Sequence, residues 1–92
     1  MDQKPLQERD VDVDVALQTP ARVILFNDEV HSFDEVISQL IKALKCDTIT
    51  AEGLTWEVHN NGKATVFEGP MEESVKVSGV LEEIALHTQI EV

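Results

Sequence analysis

Apolar and polar residues follow one another along the chain in patterns that predict six elements of secondary structure. Arg22 to Phe26 is a short and mainly apolar run that predicts a strand, and the alternation from Lys63 to Glu68 predicts a second one. Thr88 to Val92 predicts a short third strand. Two helical patterns lie between the first two strands and one lies before the third. The predicted order is therefore β-α-α-β-α-β.

The first helix has the clearest pattern. Ser32 at its start, with Glu35 three residues later, is a capping box, in which each side chain accepts a hydrogen bond from a free backbone N–H group. The apolar residues of this helix keep the i, i+3, i+4 spacing of one buried stripe, and they are Phe33, Val36, Ile37, Leu40, Ile41 and Leu44.

The second helix is predicted to be capped by Thr48 or Thr50 and to end at an Asn-Asn-Gly sequence. Gly62 in that sequence suits a left-handed residue after the last turn, so His59 lies in the last turn itself. Gly53 costs about 1 kcal/mol relative to Ala inside a helix. We therefore expect Gly53 to permit close packing.

A third helical pattern follows Pro70, which is well placed to open a helix. Its apolar stripe is Val77, Val80, Leu81 and Ile84. These elements and connections predict an α+β fold, in which a small three-stranded sheet is covered by three helices. Residues 21–92 would form this domain, and the acidic residues 1–20 a flexible extension. The acid–valine alternation from Asp10 to Val15 leaves an edge strand as an alternative.

Charge and composition narrow the functional classes. A formal net charge of −11 argues against nucleic acid, because a phosphate backbone needs Lys and Arg to replace its counterions. The same charge favours cationic partners, among them the free α-amino group of a peptide. There is no apolar run long enough for a membrane span and no signal-peptide pattern. Cys46 is alone, which excludes an internal disulfide and suits a reducing compartment, so the prediction is a cytoplasmic protein.

Polar residues gather where the first strand ends. Asn27, Asp28 and Glu29 present an amide and two carboxylates there, an arrangement that can receive a cation. The simpler explanation is a turn whose Asn and Asp side chains cap the local backbone. Likewise, His59 near the end of a helix is most simply a residue that suits the helix dipole. The residues alone leave both explanations open.

Two motifs taken together resemble the ClpS family, the adaptors that select N-degron substrates for the Clp proteases. They are L-F-N-D-E at residues 25–29 and V-H-N-N-G-K-A at residues 58–64. The resemblance runs from Arg22 to the C-terminus. It implies the same order of elements, with an antiparallel sheet.

The resemblance also implies a site for the α-amino group of a substrate's first residue. Its ligands would be Asn27, an acidic residue at Asp28 or Glu29, and His59. An ammonium group donates three hydrogen bonds, and an amide carbonyl, a carboxylate and a neutral imidazole nitrogen can accept them. Glu29 stands where the family usually has a second Asp.

The first side chain of the substrate would enter an adjacent apolar pocket. The positions that match the family's pocket are His31, Phe33, Val36, Thr55 and Val58. From the residues alone, plain core is the simpler explanation of the apolar members of this set. The chain also departs from the family, with Val30-His31-Ser32 in place of Tyr-Thr-Pro. Phe33 replaces the usual Met at the position that gates entry, and a stiff ring there is expected to exclude side chains branched at Cβ.

The partner implied by the resemblance is the N-terminal domain of an unfoldase of the ClpA or ClpC type. Glu68, Glu72 and Lys76, on the second strand and third helix, are the candidate contacts. Residues 1–20 would help to hand substrate over. No cofactor and no catalysis are expected, because the chain has no Gly-rich phosphate loop, no Ser elbow and no metal-ligand spacing.

Two other classes of function stay open at this stage. The C-terminal domain of the ribosomal stalk protein has the same order of elements, and a purely structural assembly module is therefore an alternative. That domain lacks the two motifs, which argues against it. The second alternative is a small hydrolase that uses Cys46 and a His, although the dipole at a helix C-terminus would raise the pKa of such a thiol.

Overall fold

Three strands and three helices follow one another over residues 17–92, the part of the chain that the computed structural model describes. They are β1 (Pro20–Phe26), α1 (Phe33–Leu44), α2 (Thr48–Asn61), β2 (Lys63–Pro70), α3 (Met71–Glu82) and β3 (Thr88–Glu91). The predicted α+β fold and its β-α-α-β-α-β order are confirmed. The possible strand from Asp10 to Val15 lies outside the described residues.

The sheet is antiparallel and has the order β2-β1-β3, so β1 is its central strand. Phe26 pairs with Lys63 at one end of the sheet, and Pro20 pairs with Pro70 at the other. Because of this second pair, β1 begins two residues earlier than predicted and β2 ends two residues later. Both prolines occupy strand ends, where the missing N–H group costs least.

The core lies between the sheet and the helices. Val23 and Leu25 of β1, Leu40 of α1 and Leu81 of α3 are at most 1% exposed. Each buried side chain of this kind contributes roughly 1.5–3 kcal/mol of transfer free energy. The predicted stripe of α1 is only partly buried apart from Leu40, because α1 packs mainly against α2 and α3 and not on the sheet.

Helix capping agrees with the sequence at α1 and differs at α2. The Ser32 Oγ accepts a hydrogen bond from the Glu35 backbone N (3.2 Å), and the Ser32 backbone N donates to the Glu35 Oε1 (2.8 Å). At α2, the cap is Asp47, whose carboxylate accepts from the Thr50 backbone N at 2.8 Å. The predicted caps, Thr48 and Thr50, are wrong because Asp47, which precedes them, already has extended backbone angles and a charged acceptor bonded to the Thr50 N.

Gly53 does not permit close packing within this domain, which corrects the expectation from sequence. A Cβ atom added there would meet no other atom within 4 Å. Gly53 is exposed on the outer face of α2, together with Ile49 and Trp56.

Candidate functional site

The loop after β1 and the end of α2 are joined by backbone hydrogen bonds. The Asn27 N donates to the Gly62 carbonyl at 2.9 Å, and the Gly62 N donates to the Val58 carbonyl at 2.9 Å. Gly62 has φ of 84°, a left-handed conformation that glycine adopts without strain and that ends the helix here. Asn27 and His59 are thereby brought to the same place, which the residues alone did not establish.

A pocket of about 290 Å³ lies where these segments meet. All nine residues predicted for the amino-group site and the side-chain pocket line it: Asn27, Asp28, Glu29, His31, Phe33, Val36, Thr55, Val58 and His59. Four further residues that sequence reasoning missed complete the lining: Leu25, Phe26, Ser32 and Leu86. The volume is at the small end for ligand pockets, so it suits a single side chain better than an extended segment.

The inner wall of the pocket is apolar and buried. Leu25, Thr55, Val58 and Leu86 are each at most 4% exposed. The Thr55 hydroxyl donates to the Ala51 carbonyl at 2.8 Å, so it adds no unpaired polar group to this wall. An apolar ligand group would therefore lose little by leaving water there.

The mouth of the pocket carries free hydrogen-bond acceptors. Asn27, Glu29 and His59 are all exposed. Within residues 17–92, none of their three side chains makes a hydrogen bond or an ion pair. An amide, a carboxylate and an imidazole are thus available to a ligand on one rim.

Asp28 differs from these three because its carboxylate is already bonded within the loop. Its Oδ1 accepts from the backbone N of Val30 (3.0 Å) and of His31 (2.9 Å), and its Oδ2 lies 2.7 Å from the His31 Nδ1. Partial burial raises the pKa of Asp28, but the hydrogen bonds from His31 and Val30 outweigh it and lower the pKa overall. Asp28 therefore stays ionised and shapes the loop, while Glu29 is the acid with a free carboxylate.

His31 is held at both ring nitrogens. Its Nδ1 faces the Asp28 carboxylate, and its Nε2 lies 2.5 Å from the Ile84 carbonyl oxygen, just beyond α3. Both partners are hydrogen-bond acceptors, so the arrangement suits a doubly protonated ring in which each nitrogen donates. The bond to Asp28, followed by the bond to Ile84, raises the pKa of His31 above its ordinary value of 6.5.

Three aromatic rings meet beside the mouth. The Phe33 ring contacts the Trp56 ring at 4.7 Å between centroids and 70° between planes, and the His59 ring at 5.2 Å and 73°. Trp56 also lies edge-on to His59, at 6.0 Å and 82°. These T-shaped contacts fix the position of Phe33 and orient the His59 ring, which no hydrogen bond holds within the described residues.

Comparison with known proteins identifies the family of this chain. The sequence model of one family, described as ATP-dependent Clp protease adaptor protein ClpS, matches residues 17–89. The chain belongs to the ClpS family. A solved structure of Agrobacterium tumefaciens ClpS2 bound to L-phenylalaninamide superposes with a TM-score of 0.70 and 19% sequence identity. The match covers 80% of this chain and 96% of that chain, and it shows the ClpS fold.

A second relative is a much larger protein. Human E3 ubiquitin-protein ligase UBR2 is 34% identical over 58 residues, which cover 63% of this chain and 3% of UBR2. The chain therefore spans only a small part of the length of UBR2.

Residues outside the pocket complete the comparison with the sequence predictions. Glu68, Glu72 and Lys76 are exposed on β2 and α3, and none of them lines the pocket. Among residues 17–92, no cluster of three or more His, Cys, Asp or Glu side chains is arranged to hold a metal ion. No helix in the same range is long and apolar enough to cross a membrane.

Proposed function

We propose that this ClpS-family domain is a non-enzymatic adaptor that binds the free N-terminus of proteins whose first residue is large and hydrophobic. The observation that carries the proposal is the combination of a buried apolar wall with three free acceptors at the mouth of one pocket. An N-terminal residue has the complementary chemistry, since its side chain is apolar and its ammonium group is charged and lies a few bonds away.

The ammonium group would bind at the rim. Asn27 Oδ1, the Glu29 carboxylate and one nitrogen of neutral His59 can accept its three hydrogen bonds. Transfer of a charged group out of water costs much free energy unless the group is paired and hydrogen-bonded. In this proposal Asp28 contributes negative charge nearby and fixes the loop that carries Asn27 and Glu29.

The first side chain would enter between Val36 of α1 and Val58 of α2, with Phe33 at the rim. Full burial of a Leu or Phe side chain contributes roughly 1.5–3 kcal/mol, or about 10- to 150-fold in affinity. A small or charged first residue would gain little of this free energy. The L-phenylalaninamide bound in the ClpS2 structure carries a large apolar side chain of the kind proposed here.

Delivery to a protease is the second half of the proposal. The adaptor would present its cargo to the N-terminal domain of a ClpA- or ClpC-type unfoldase, with Glu68, Glu72 and Lys76 in the contact surface. All three are exposed, and Glu72 and Lys76 are one helical turn apart on α3. Residues 1–20 would assist the transfer.

The similarity to UBR2 favours one other class of machinery that would receive the bound protein. The same domain, within a longer polypeptide, would supply N-terminal recognition to a ubiquitin ligase. Both versions share the pocket and differ only in what receives the cargo. Binding of the isolated N-terminal domain of ClpA or ClpC, tested with Lys76→Glu and Glu72→Lys variants, separates them.

Peptides that differ only in their first residue test the proposal. Leu, Phe, Trp, Tyr, Ile and Met would be compared with Ser and Asp by isothermal titration calorimetry. We expect Leu and Phe peptides to bind at least tenfold more tightly than Ser and Asp peptides, the lower limit for a buried side chain. Equal affinity for all first residues would contradict the proposal.

A further inference from the structure

His31 joins two separate parts of the pocket. It belongs to the β1–α1 loop (residues 27–32), which carries the rim acceptors, and its ring reaches the α3–β3 turn (residues 83–87). The two bonded atoms on either side of the ring are the Asp28 Oδ2 at 2.7 Å and the Ile84 carbonyl oxygen at 2.5 Å. The His31 side chain is only 10% exposed.

We propose that His31 is a positioning residue of the pocket, whose doubly protonated ring ties Asp28 to the Ile84 main chain and so holds the rim against the wall formed by Leu86. The two bonds from the His31 ring, to Asp28 and to the Ile84 carbonyl, are together named the His31 clasp. This inference rests on the proposed function, because it assigns the His31 clasp a role in binding N-terminal residues. It differs from the role predicted from sequence, in which His31 was only one part of the side-chain pocket.

The α3–β3 turn is already tied to the end of β1, since the Phe26 backbone N donates to the His87 carbonyl at 3.0 Å and the two rings meet edge-on at 4.8 Å between centroids. Leu86 lines the pocket two residues after Ile84, so the carbonyl that His31 holds is next to the wall it would position. The acidic side chain in this turn, Glu83, is paired with Lys42 at 2.7 Å on the exposed surface and does not serve His31. What the ring of His31 adds is a side-chain hydrogen bond from this turn to the β1–α1 loop itself, which carries the rim acceptors.

The protonation state decides whether the clasp exists. A neutral imidazole has one donor, so loss of a proton would leave either Asp28 or Ile84 facing a lone pair. The charged groups that face the ring are Asp28 from its own loop and Glu35 from α1, and the α3–β3 turn faces it with the Ile84 carbonyl. Both carboxylates favour the imidazolium.

The direction of the pH effect follows from the pKa shifts. The pKa of His31 is raised in the folded protein, so the stabilisation by the clasp is complete below pH 6.5 and is lost as the pH rises through the raised value. The pKa of Asp28 is lowered. Protonation of Asp28 therefore removes the stabilisation by the clasp only as the pH falls through that lowered value. The clasp is therefore closed in mildly acidic solution and opens as the pH rises through the raised pKa of His31.

The affinity ratio between the wild type and His31→Ala tests the role in binding. A peptide's own α-amino group also loses its proton near pH 7.7–8.0. This loss is a property of the peptide, so it affects both proteins equally and cancels in the ratio. With a Leu-first peptide, we expect the wild type to bind about tenfold more tightly at pH 6, the low end of what residues that orient binding groups contribute. The ratio should fall towards one as the pH rises through the His31 transition.

A control is Gln89→Ala, which removes an exposed polar side chain of β3 that does not line the pocket, and it should leave the wild-type pH profile unchanged. Tighter binding by His31→Ala would overturn the proposal, because His31 would then only compete with the ligand for Asp28. A ratio of one at every pH would overturn it as well.

A measurement on the free protein separates this inference from the proposed function. Imidazole ¹⁵N spectra of the wild type should show both ring nitrogens of His31 protonated at pH 6, with a midpoint above 6.5, and the Leu86 methyl signals should shift with that same midpoint. A neutral His31 at pH 6, or Leu86 signals that do not follow the His31 titration, would refute the clasp without any peptide or variant. If the titrations are linked and no peptide binds, the proposed function fails while the clasp stands.

Discussion

Removal of the Phe33 ring should change which first residues the pocket accepts. Phe33 is half-buried at the mouth, and the edges of Trp56 and His59 hold its ring in place. A ring fixed in this way cannot move aside for a side chain that is branched at Cβ. We therefore expect the wild-type protein to bind Leu-first peptides more tightly than Ile-first or Val-first peptides.

The size of this preference follows from packing. A methyl group forced into a filled site costs about 1–3 kcal/mol, which corresponds to roughly 5- to 150-fold in affinity. Leu and Ile have similar transfer free energies, so nothing else should separate them strongly. In Phe33→Ala the Leu-to-Ile ratio should approach one.

The same substitution should cost stability. Truncation of a buried Phe costs about 3–5 kcal/mol, and the half-buried Phe33 should lie near the lower value. The matched control is Phe67→Ala, which removes another half-buried ring that does not line the pocket. It should lower the melting temperature and leave the Leu-to-Ile ratio unchanged.

Competition binding with a labelled Leu-first peptide measures these ratios, with urea unfolding as the measure of stability. A folded Phe33→Ala protein that kept the wild-type preference for Leu over Ile would refute the reasoning. In that case selectivity would come from the buried wall and not from the ring at the mouth.

Three further outcomes can be stated. His59→Ala should weaken binding of a Leu-first peptide, because it removes one of the three proposed acceptors for the ammonium group; unchanged affinity in calorimetry would exclude His59 from the site. Glu29→Gln should weaken binding about tenfold or more without loss of stability, since a hydrogen bond to a charged group contributes about 1.5–3 kcal/mol, whereas Asp28→Asn should also lower the melting temperature because Asp28 bonds the loop. Ala85, with φ of 65°, should tolerate Gly with no loss or a gain of up to about 1 kcal/mol. Ala43→Gly inside α1 should instead cost about 1 kcal/mol, so equal effects of the two changes in urea unfolding would contradict the strain at Ala85.

The sequence was most informative where the signal is local. The capping box of Ser32 and Glu35 and the apolar spacing of α1 depend on neighbouring residues, and the structure contains both. The left-handed Gly62 was predicted for the same reason. At α2 the competing local signal was overlooked, since Asp47 is as good a cap as the threonines that follow it and comes first.

The assembly of the pocket depends on contacts between distant residues, which spacing does not encode. The bond from Asn27 to Gly62 needs the end of β1 to meet the end of α2, and only the resemblance to a family had suggested this meeting. Leu86 reaches the wall because the chain turns at Ala85, a residue with no turn signal in its type. The hydrogen bond between His31 and Ile84 joins residues that are far apart in the sequence, and no local pattern predicts it.

The most direct test of the account compares a Leu-first peptide with the same peptide acetylated at its N-terminus. Acetylation removes the charge and two of the three donors that Asn27, Glu29 and His59 are proposed to receive. Loss of two hydrogen bonds to a charged group removes about 3 kcal/mol or more, so affinity should fall by a factor of roughly 100 or more. Amidation of the C-terminus, a cap at the other end, should change nothing. Equal binding of the free and acetylated peptides would contradict the claim that this pocket recognises an N-terminus.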